Sequence, residues 1–298
     1  DADKGEYTYS TDDTGITEDD KFTKGSVKLD QDLSDLYLKK VKIVYKPNKN
    51  KSGVATVYGV FAQDSSTMFS GVVGNVPGTL TGSDKKIKLS GTTYNLDKAA
   101  TPVYEILNGE YKVGTTAQNL DDLSGKAAIA HYTMELIDKD GNGKGDAIVI
   151  YPFTVAQVTA VGKTSVSAGS SYKKDETNIY EGIAKNDWVK ITPADNTADG
   201  KALIEEIELT TGTIDALKKS DGKVEVDGTW YTDADGASNT YTLNDEYNLV
   251  IVNGYVFNAE AVDATVNVAD AVFVLKADPA GAVNAVDEGT QVVRLLFT

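Results

Sequence analysis

The chain has 298 residues, of which 41% are hydrophobic, and its formal net charge is −16. This length is enough for two domains with buried cores, while the charge repels the phosphates of nucleic acids and anionic lipids, so we predict no nucleic-acid partner. Arg294 is the only arginine and cysteine is absent, which leaves neither bidentate arginine clamps for phosphate nor a disulfide framework.

The ends of the chain and its apolar segments bear on its location. No apolar run approaches the ~18 residues that cross a bilayer, so we predict no membrane insertion. The first ten residues, DADKGEYTYS, lack the pattern of a signal peptide, so we expect the chain to begin after processing or within a longer protein. It ends on the apolar strand pattern VVRLLFT, and we expect its parent to continue. Abundant Thr, Ser, Asp and Gly without Cys favours an exported bacterial protein.

Segments that alternate apolar and polar residues recur along the chain between Gly, Asn and Asp residues. They include KKVKIVYK (39–46), GVATVYGVFA (53–62), KKIKLSG (85–91), YNLVIVNGYVF (247–257) and DAVFVLK (270–276). A period of two with β-branched and aromatic residues predicts strands. Turn signals every ~8–12 residues are typical of sandwiches and small barrels. We therefore predict an all-β fold.

Helical signals are few and short. QDLSDLYL (31–38) and NLDDLSGK (119–126) each predict a turn or two of helix. ADGKALIEEIEL (198–209) contains good helix formers, but it runs directly into a TTGT turn. We therefore predict a strand in that segment.

An internal repeat relates the two halves of the chain. SDKKIKLSGTTY (83–94) aligns without gaps with SDGKVEVDGTWY (220–231), and six of the twelve residues are identical. Downstream, the apolar hairpin pattern MELIDKDGNGKGDAIVI (134–150) has its counterpart in YNLVIVNGYVFNAEAV (247–262), where VNGY replaces the aspartate-rich stretch. We predict two related tandem β modules, each a small barrel or sandwich.

The predicted domain organisation follows from this repeat. Residues 1–30 are acidic and turn-rich, and we predict a leading linker or edge segment there. The first β module, with its Asp-rich hairpin, spans 31–160, and the second spans 178–298. Between them, residues 161–177 read VGKTSVSAGSSYKKDET, a composition rich in Gly, Ser, Thr and Lys that predicts a linker.

The stretch LIDKDGNGKGDAIVI, residues 136–150, carries the most specific pattern in the chain. Asp138, Asp140, Asn142, Lys144 and Asp146 occupy alternate positions among glycines. Ca²⁺ takes its ligands from carboxylate and carbonyl oxygens, and the seventh position of such a loop contributes its peptide carbonyl, so a lysine is compatible there. We predict these five residues as a metal site, with Ca²⁺ as the ion.

Alternative structures fit the same stretch. An EF-hand is disfavoured because Val149 stands where a bidentate Glu is expected and the flanks are strand-like. A calcium loop that closes a β-hairpin remains open. So does a plain hairpin in which Asn142-Gly143 adopts positive φ and the aspartates accept local N–H groups. Three Asp and two Lys give a net charge of −1, so a calcium site would be weak, with a Kd of ~10⁻⁴–10⁻³ M. A second cluster, TDADGASN (232–239), predicts a solvated loop.

The sequence contains no strong catalytic motif. His131, the only histidine, lies in the apolar stretch IAHYTMELI and is predicted to be a structural strand residue, and zinc sites of His and Cys are excluded by count. GKT (162–164) lacks the upstream glycine of a P-loop. Glu205, Glu206 and Glu208 fit either a glycosidase pair or exposed strand charge. We predict that the chain is not an enzyme.

The aromatic residues raise a rival function, carbohydrate binding. Trp188 and Trp230 could stack on sugar rings if they are exposed. The alternative is packing: Trp188 begins an alternating strand pattern, and Tyr94 and Tyr231 hold matched positions of the repeat, as core residues would.

Six phrases taken together resemble a known protein family. In chain order they are LYLKKVKIVYKPN, KIKLSGTTYNL, VYEILNG, MELIDKDGNGKGDAIVIYPFTVAQV, YEGIAKNDWVKI and LVIVNGYVFNAEAV. From about residue 30 to the end, the chain is similar to the non-anchor region of S-layer-type cell-surface proteins of Gram-positive bacteria, which carry S-layer homology anchor domains. The ID-D-GNG-GD hairpin is the most specific phrase. No such anchor domain is recognisable in this sequence.

The resemblance implies a structural, non-catalytic segment of a surface-layer or cell-envelope protein, located outside the cell at the cell wall. Its expected partners are neighbouring copies, other envelope proteins, and a cell-wall polymer bound through an anchor outside this chain. The alternative is a carbohydrate- or host-surface-binding module of the adhesin type.

Overall fold

A computed structural model describes residues 6–10, 24–28, 32–47, 55–63, 66–78, 85–262, 272–277 and 293–297. Over these residues the protein is all-β, as predicted. The strands are β1 Glu6–Ser10, β2 Lys24–Lys28, β3 Val41–Pro47, β4 Ala55–Ala62, β5 Ser66–Val72, β6 Lys86–Leu89, β7 Thr92–Asn95, β8 Val103–Glu105, β9 Gly109–Glu110, β10 Lys112–Val113, β11 Thr116–Ala117, β12 Thr133–Asp138, β13 Ala147–Tyr151, β14 Thr154–Val161, β15 Ser165–Ala168, β16 Ser170–Lys173, β17 Thr177–Ile179, β18 Trp188–Thr192, β19 Ala202–Glu206, β20 Thr210–Lys218, β21 Lys223–Val226, β22 Thr229–Asp233, β23 Glu246–Val252, β24 Tyr255–Ala261, β25 Val272–Ala277 and β26 Val293–Phe297.

The helical elements among the described residues are single turns. One is α-helical, α1 at Leu120–Leu123, and the others are 3-10 turns at Ser34–Leu36, Val73–Asn75, Ala127–Ile129, Ala194–Asn196 and Lys219–Asp221. α1 begins in a capping box: the Asn119 side chain accepts from Asp121 N, and the Asp122 side chain accepts from Asn119 N. It ends after one turn, before Gly125 at φ +67°. No helix in these ranges is long and apolar enough to cross a membrane.

The sequence located several of these elements. The two predicted helical turns are confirmed at Ser34–Leu36 and α1, and the strand predicted in 198–209 is confirmed as β19. The five alternating segments correspond to β3, β4, β6, the β23–β24 hairpin and β25.

The first sheet has the strand order β5-β12-β13-β8-β9, with β13 and β8 parallel. Its central hairpin, β12–β13, is covered on both faces, which explains its nearly continuous apolar sequence. One face carries Leu136, Ile148 and Ile150 into the main core. On the other face Ile137 and Val149 pack with Tyr37, Leu38 and other residues.

A six-stranded middle sheet, β16-β15-β14-β18-β19-β17, follows the first sheet. Its core consists of Val158, Val166, Ala168, Val189, Ile191 and Ile204. The predicted linker at 161–177 is therefore wrong as local structure, because it contains β15, β16 and the start of β17. The serines made this segment resemble a linker. In the strand, Ser165 and Ser167 are partly exposed, whereas the alternating Val166 and Ala168 are buried.

Strands β20–β24 form a closed barrel in the order β20-β21-β22-β24-β23. Its core cluster consists of Ile214, Val224, Val226, Tyr247, Leu249 and Val256. β23 and β24 are joined by Asn253-Gly254, both with positive φ, at +52° and +81°. This two-residue turn matches the twist of an antiparallel pair.

The two repeat segments form equivalent hairpins, β6–β7 and β21–β22. Each closes through two residues, with Leu89 opposite Thr92 and Val226 opposite Thr229. The turn residues have positive φ in both: Ser90 (+46°), Gly91 (+88°), Asp227 (+46°) and Gly228 (+76°). The aligned pairs Ile87/Val224 and Leu89/Val226 are all buried.

The predicted domain boundaries at 31–160 and 178–298 stay predictions. Of residues 1–30, the structure describes β1 and β2, an antiparallel pair, and most of that predicted leading segment lies outside the described residues. The middle sheet spans the predicted boundary. The 3-10 turn between β18 and β19 contacts the segment that follows β8, since the buried Asn196 side chain donates to Ile106 O at 2.8 Å.

Candidate metal site

The predicted metal residues lie in the aspartate loop, residues 138–146, which joins β12 to β13. Asp138 is the last residue of β12 and is 3% exposed. The flanking strands are antiparallel, with Ile137 opposite Ala147, and Val149 is buried within β13. The flanks are thus strands, as predicted, and the EF-hand arrangement of two helices is excluded.

The Asp138 carboxylate organises the loop by accepting three backbone N–H bonds. Oδ1 accepts from Gly141 N at 2.7 Å and Asn142 N at 3.2 Å, and Oδ2 accepts from Gly143 N at 2.7 Å. Asp138 is the acceptor described for Gly141 N and Gly143 N, whereas Asn142 N also bonds Asp140. Gly141 and Gly143 have positive φ, at +78° and +81°. The prediction that Asn142 adopts positive φ is wrong, because the glycines on either side of it take the positive-φ conformations that reverse the chain direction.

The other polar side chains of the loop also bond locally. Asp140 accepts from Asn142 N and from Asn142 Nδ2, both at 3.0 Å. Asn142 Oδ1 accepts from Lys144 N at 2.9 Å, and Asp146 Oδ2 accepts from Lys139 N at 2.7 Å. The loop is therefore hydrogen-bonded within itself, as the plain-hairpin interpretation requires.

The same geometry brings three carboxylates together. Asp138, Asp140 and Asp146 each place a carboxylate oxygen within 4.8 Å of the others. Two such charges ~4 Å apart repel by ~4 kcal/mol at an effective dielectric constant of ~20. Burial raises the pKa of Asp146, and repulsion from Asp140, Asp138 and Asp97 raises it further. The hydrogen bond from Lys139 N has the opposite effect and lowers this pKa. A cation would relieve this repulsion, so the calcium interpretation stays a prediction.

Two of the five predicted residues use their side chains elsewhere. The Asn142 side-chain oxygen already accepts from Lys144 N. The Lys144 ammonium faces outward, 3.7 Å from Asp97 Oδ1. Only the aspartates of the predicted set therefore converge through their side chains.

Sequence reasoning missed the contact between the loop and the end of β7. Gly145 N donates to Asn95 O at 2.8 Å, and Asp97 N donates to Gly145 O at 3.0 Å. These bonds flank a parallel bridge between Leu96 and Gly145. No local pattern could signal this contact, because the two segments are distant in sequence. Asp97 thereby adds a fourth carboxylate to the surroundings of the loop.

The second acidic cluster, predicted as a solvated loop, has a different environment. Asp233 Oδ1 accepts from Asn239 Nδ2 at 2.7 Å and Tyr241 Oη at 2.6 Å. It lines a cavity of about 240 Å³ with Lys219 and Lys223. Asp233 is partly buried and bonded, so the prediction is wrong for this residue, whereas Asp235 is exposed.

His131 lies in the turn before β12 and not within a strand, which corrects its predicted placement. It is 9% exposed. Its ring centroid lies 4.7 Å from that of Tyr132, 5.1 Å from Phe153 and 5.0 Å from Phe257. The packing role predicted for this histidine agrees with these contacts.

The glutamates considered as a glycosidase pair do not converge in the structure. Glu205 Oε2 lies 2.6 Å from Lys190 Nζ. Glu205 and Glu206 are adjacent in β19, and adjacent strand residues point to opposite faces, so these two carboxylates do not face each other.

The aromatic residues also separate into two groups. Tyr94 and Tyr231 pack against the cores of their respective regions, as predicted. Trp188 is partly buried and Trp230 is 38% exposed. The Lys218 ammonium lies 4.7 Å from the Trp230 ring centroid.

No protein-family model matches the chain, and no curated protein matches it in sequence. The resemblance to S-layer-type proteins therefore stays a prediction.

Proposed function

We propose that this chain is a structural, non-catalytic segment of a bacterial surface-layer or cell-envelope protein, located outside the cell at the cell wall. Two features support the proposal: the ordered phrases that resemble S-layer-type proteins, and an all-β architecture in which separate sheets follow one another. Such segments present edges and loops to neighbouring copies or other envelope proteins. The cell-wall polymer would be bound by an anchor outside this chain.

The aspartate loop is the observation that carries the proposal. The most specific phrase of the resemblance is the β12–β13 hairpin, which forms the centre of the first sheet. At its tip three carboxylates lie within 4.8 Å of one another. A buried hairpin with a converging acidic tip suits a segment whose stiffness depends on the calcium concentration outside the cell.

Calcium would act on this hairpin through charge. Asp138, Asp140 and Asp146 would hold the ion, and Asn142 and the Lys144 carbonyl belong to the set predicted from sequence. The ion would offset the repulsion between the carboxylates and favour the conformation that brings them together. Because Gly145 bonds to Asn95 and Asp97, the ion would also stiffen the contact between the loop and β7.

Thermal unfolding with and without calcium tests this part of the proposal. With a Kd of ~10⁻⁴–10⁻³ M, about 10 mM Ca²⁺ stabilises the folded state by about 1.4–2.7 kcal/mol. We expect Tm to rise by several degrees relative to chelator, and Asp140→Asn to abolish the rise. Asp140 is exposed and bonds only to Asn142 among the described contacts, so this variant should fold.

Asp175→Asn is the matched control, because Asp175 is an exposed aspartate outside the loop. It should keep the full calcium response. Equal Tm values in calcium and chelator for the parent protein would remove the metal from the proposal. An equal rise in the Asp140→Asn variant would place the ion elsewhere.

Negative-stain electron microscopy of the full-length protein tests the structural role. We expect an ordered lattice in calcium, and disorder in chelator if the loop controls assembly. Asp138→Asn and Asp140→Asn variants then assign the calcium effect to this hairpin. Absence of a lattice in both conditions would contradict the surface-layer role.

A carbohydrate- or host-surface-binding module is the second candidate, favoured by the exposure of Trp230 beside Lys218. Exposed tryptophan can stack on sugar rings, and a lysine suits acidic sugars. A glycan array tests this function, with Trp230→Ala expected to lose binding and Trp188→Phe, at a partly buried site, to keep it. An array without hits would set the second candidate aside.

A further inference from the structure

His131 lies where three segments of the chain meet. It belongs to the turn that precedes β12 in the first sheet. Phe153, from the connection between β13 and β14, lies 5.1 Å away between ring centroids. Phe257 and Tyr255, from β24 of the closed barrel, lie at 5.0 and 6.3 Å. The imidazole therefore fills the joint between the first sheet and the barrel.

Hydrogen bonds and close packing hold the two sides of this joint together. Asn253, in the β23–β24 turn, donates from Nδ2 to His131 O at 2.8 Å and to Thr133 Oγ1 at 3.2 Å. The Tyr255 hydroxyl approaches Gly74 so closely that a Cβ there would overlap it. The barrel thus contacts the first sheet through specific groups around one side chain.

The His131 ring has an unusual polar environment. Among the described residues, its Nδ1 is the one buried side-chain nitrogen or oxygen without a hydrogen-bond partner. A neutral imidazole tolerates this position at the cost of one unpaired acceptor. A protonated imidazole would place a second N–H donor and a full charge in the same aromatic enclosure.

We propose that His131 is an acid-sensitive lock that holds the closed barrel against the first sheet and releases it when the imidazole is protonated. The lock is closed at neutral pH, where the uncharged ring packs among Tyr132, Phe153, Tyr255 and Phe257. Acidification raises the open fraction by making the closed packing less favourable. Each β region keeps its own core, so release changes how the regions are joined and not their internal fold.

The charged and titratable groups around the ring agree with this direction. Burial lowers the pKa of His131, while a hydrogen bond to the Phe153 backbone and the negative charge of Asp235 oppose that effect. Lys190 lies 5.9 Å from the Phe153 ring centroid and disfavours a second cation nearby. The hydroxyls of Tyr132 and Tyr255 stay neutral in this pH range, because burial raises both of their pKa values.

The sign of the pH effect follows from linkage. A histidine whose folded-state pKa lies below its ordinary value of 6.5 binds protons more weakly in the closed joint than in the open one. The closed state is therefore favoured fully above pH 6.5 and loses this advantage as pH falls towards the folded-state pKa. At pH 5.5 the open fraction rises by at most about tenfold, the ratio set by one pH unit below 6.5.

Nuclear magnetic resonance tests the lock directly, because the chain has one histidine and its ring signal needs no separate assignment. We expect that signal to titrate with a midpoint below 6.5. The Asn253 side-chain amide should follow the same midpoint. Its exchange with water should accelerate between pH 7.5 and 5.5 relative to that of Asn178, whose amide bonds Asp199 in the middle sheet.

Two variants separate a lock from passive packing. His131→Phe keeps an aromatic ring without a charge, so the Asn253 amide should become insensitive to pH across this range. Asn253→Gly removes the amide but suits the positive φ of this position, and it should move the His131 midpoint towards 6.5, since the coupling is reciprocal.

A His131 midpoint at or above 6.5 would overturn the proposal. So would an Asn253 amide that does not follow the histidine, or equal pH responses in the parent protein and His131→Phe. The titration and exchange measurements on the unmodified chain decide the question even if the phenylalanine variant does not fold. Calcium plays no part in these measurements, so the lock stands or falls separately from the proposed function.

Discussion

The first region and the closed barrel share three strand pairings but differ in how they close. In the first region, which runs from β5 to β13, β5 pairs with β12 and β12 with β13. In the barrel, β20 pairs with β23 and β23 with β24. The hairpins β6–β7 and β21–β22 share one register. The barrel closes where β22 pairs in parallel with β24. The first region reduces that contact to a bridge between Leu96 and Gly145.

Two inserted segments explain the difference. In the barrel, a two-residue turn, Asn253-Gly254, joins β23 to β24, whereas the aspartate loop joins β12 to β13. Between β7 and β12, the first region also contains β8–β11 and α1, and β8 pairs with the edge of β13. One hairpin scaffold can therefore close on itself or recruit a further strand, depending on what its loops contain.

The cores differ accordingly. Among the described residues, the main core cluster of the first region contains fourteen buried residues, and that of the barrel contains six. The larger core includes residues of the inserted segment, such as Leu120 and Leu123 of α1. We therefore expect the larger core of the first region to offset the repulsion between the carboxylates of the aspartate loop better than the barrel core would.

The largest expected effect comes from the matched core positions of the repeat. Leu89→Ala should lower the free energy of unfolding by about 2–5 kcal/mol, because Leu89 is fully buried and its removal leaves a cavity. Val226→Ala, at the aligned position, removes fewer methyl groups and should cost less. Urea unfolding of both variants measures the difference. A larger loss for Val226→Ala would contradict the view that the first region has the more extensive core.

A smaller effect is expected at the start of the aspartate loop. Asp138→Ala leaves the N–H groups of Gly141 and Gly143 without their acceptor, while Asn142 N keeps its bond to Asp140. Because these donors belong to exposed residues, each lost bond should cost about 1 kcal/mol, and the loss should appear in chelator as well as in calcium. The barrel counterpart, Asn253→Gly, removes no acceptor from its turn and should cost less. A loss seen only in calcium would show that Asp138 acts through the ion alone.

The smallest expected effect has the opposite sign. Because burial and the neighbouring carboxylates raise the pKa of Asp146, its ionised form disfavours folding at neutral pH, and this cost is lost as pH falls through that pKa. Asp146→Asn should therefore raise Tm in chelator by about 1–2 °C, the scale of a partly exposed charge. The same variant should reduce the gain in calcium. A lower Tm in chelator at pH 7 would show that the Lys139 N–H bond outweighs the repulsion.

The prediction from sequence was wrong where a serine-rich composition hid the alternation of buried and exposed residues. Residues 165–168 read SVSA, and their serines made a strand resemble a linker, so the middle sheet was divided between a linker and a module. Asn142 was expected to adopt positive φ because Asn-Gly pairs do so in two-residue turns; in the longer aspartate loop Gly141 and Gly143 take that conformation. Both errors arose because a rule about neighbouring residues was applied where strand pairing determines the local structure.

The all-β class and the strands with clear alternation follow from the sequence alone, because alternation acts over a few neighbouring positions. The sequence also determined the repeat hairpins and the set of oxygen-bearing residues in the aspartate loop. Tertiary structure decided which segments meet: the contact of Gly145 with Asn95 and Asp97, the middle sheet, and the enclosure of His131 by rings from two other segments. Those contacts join residues far apart in the chain, and their energies depend on burial and charge that exist only once the sheets have formed.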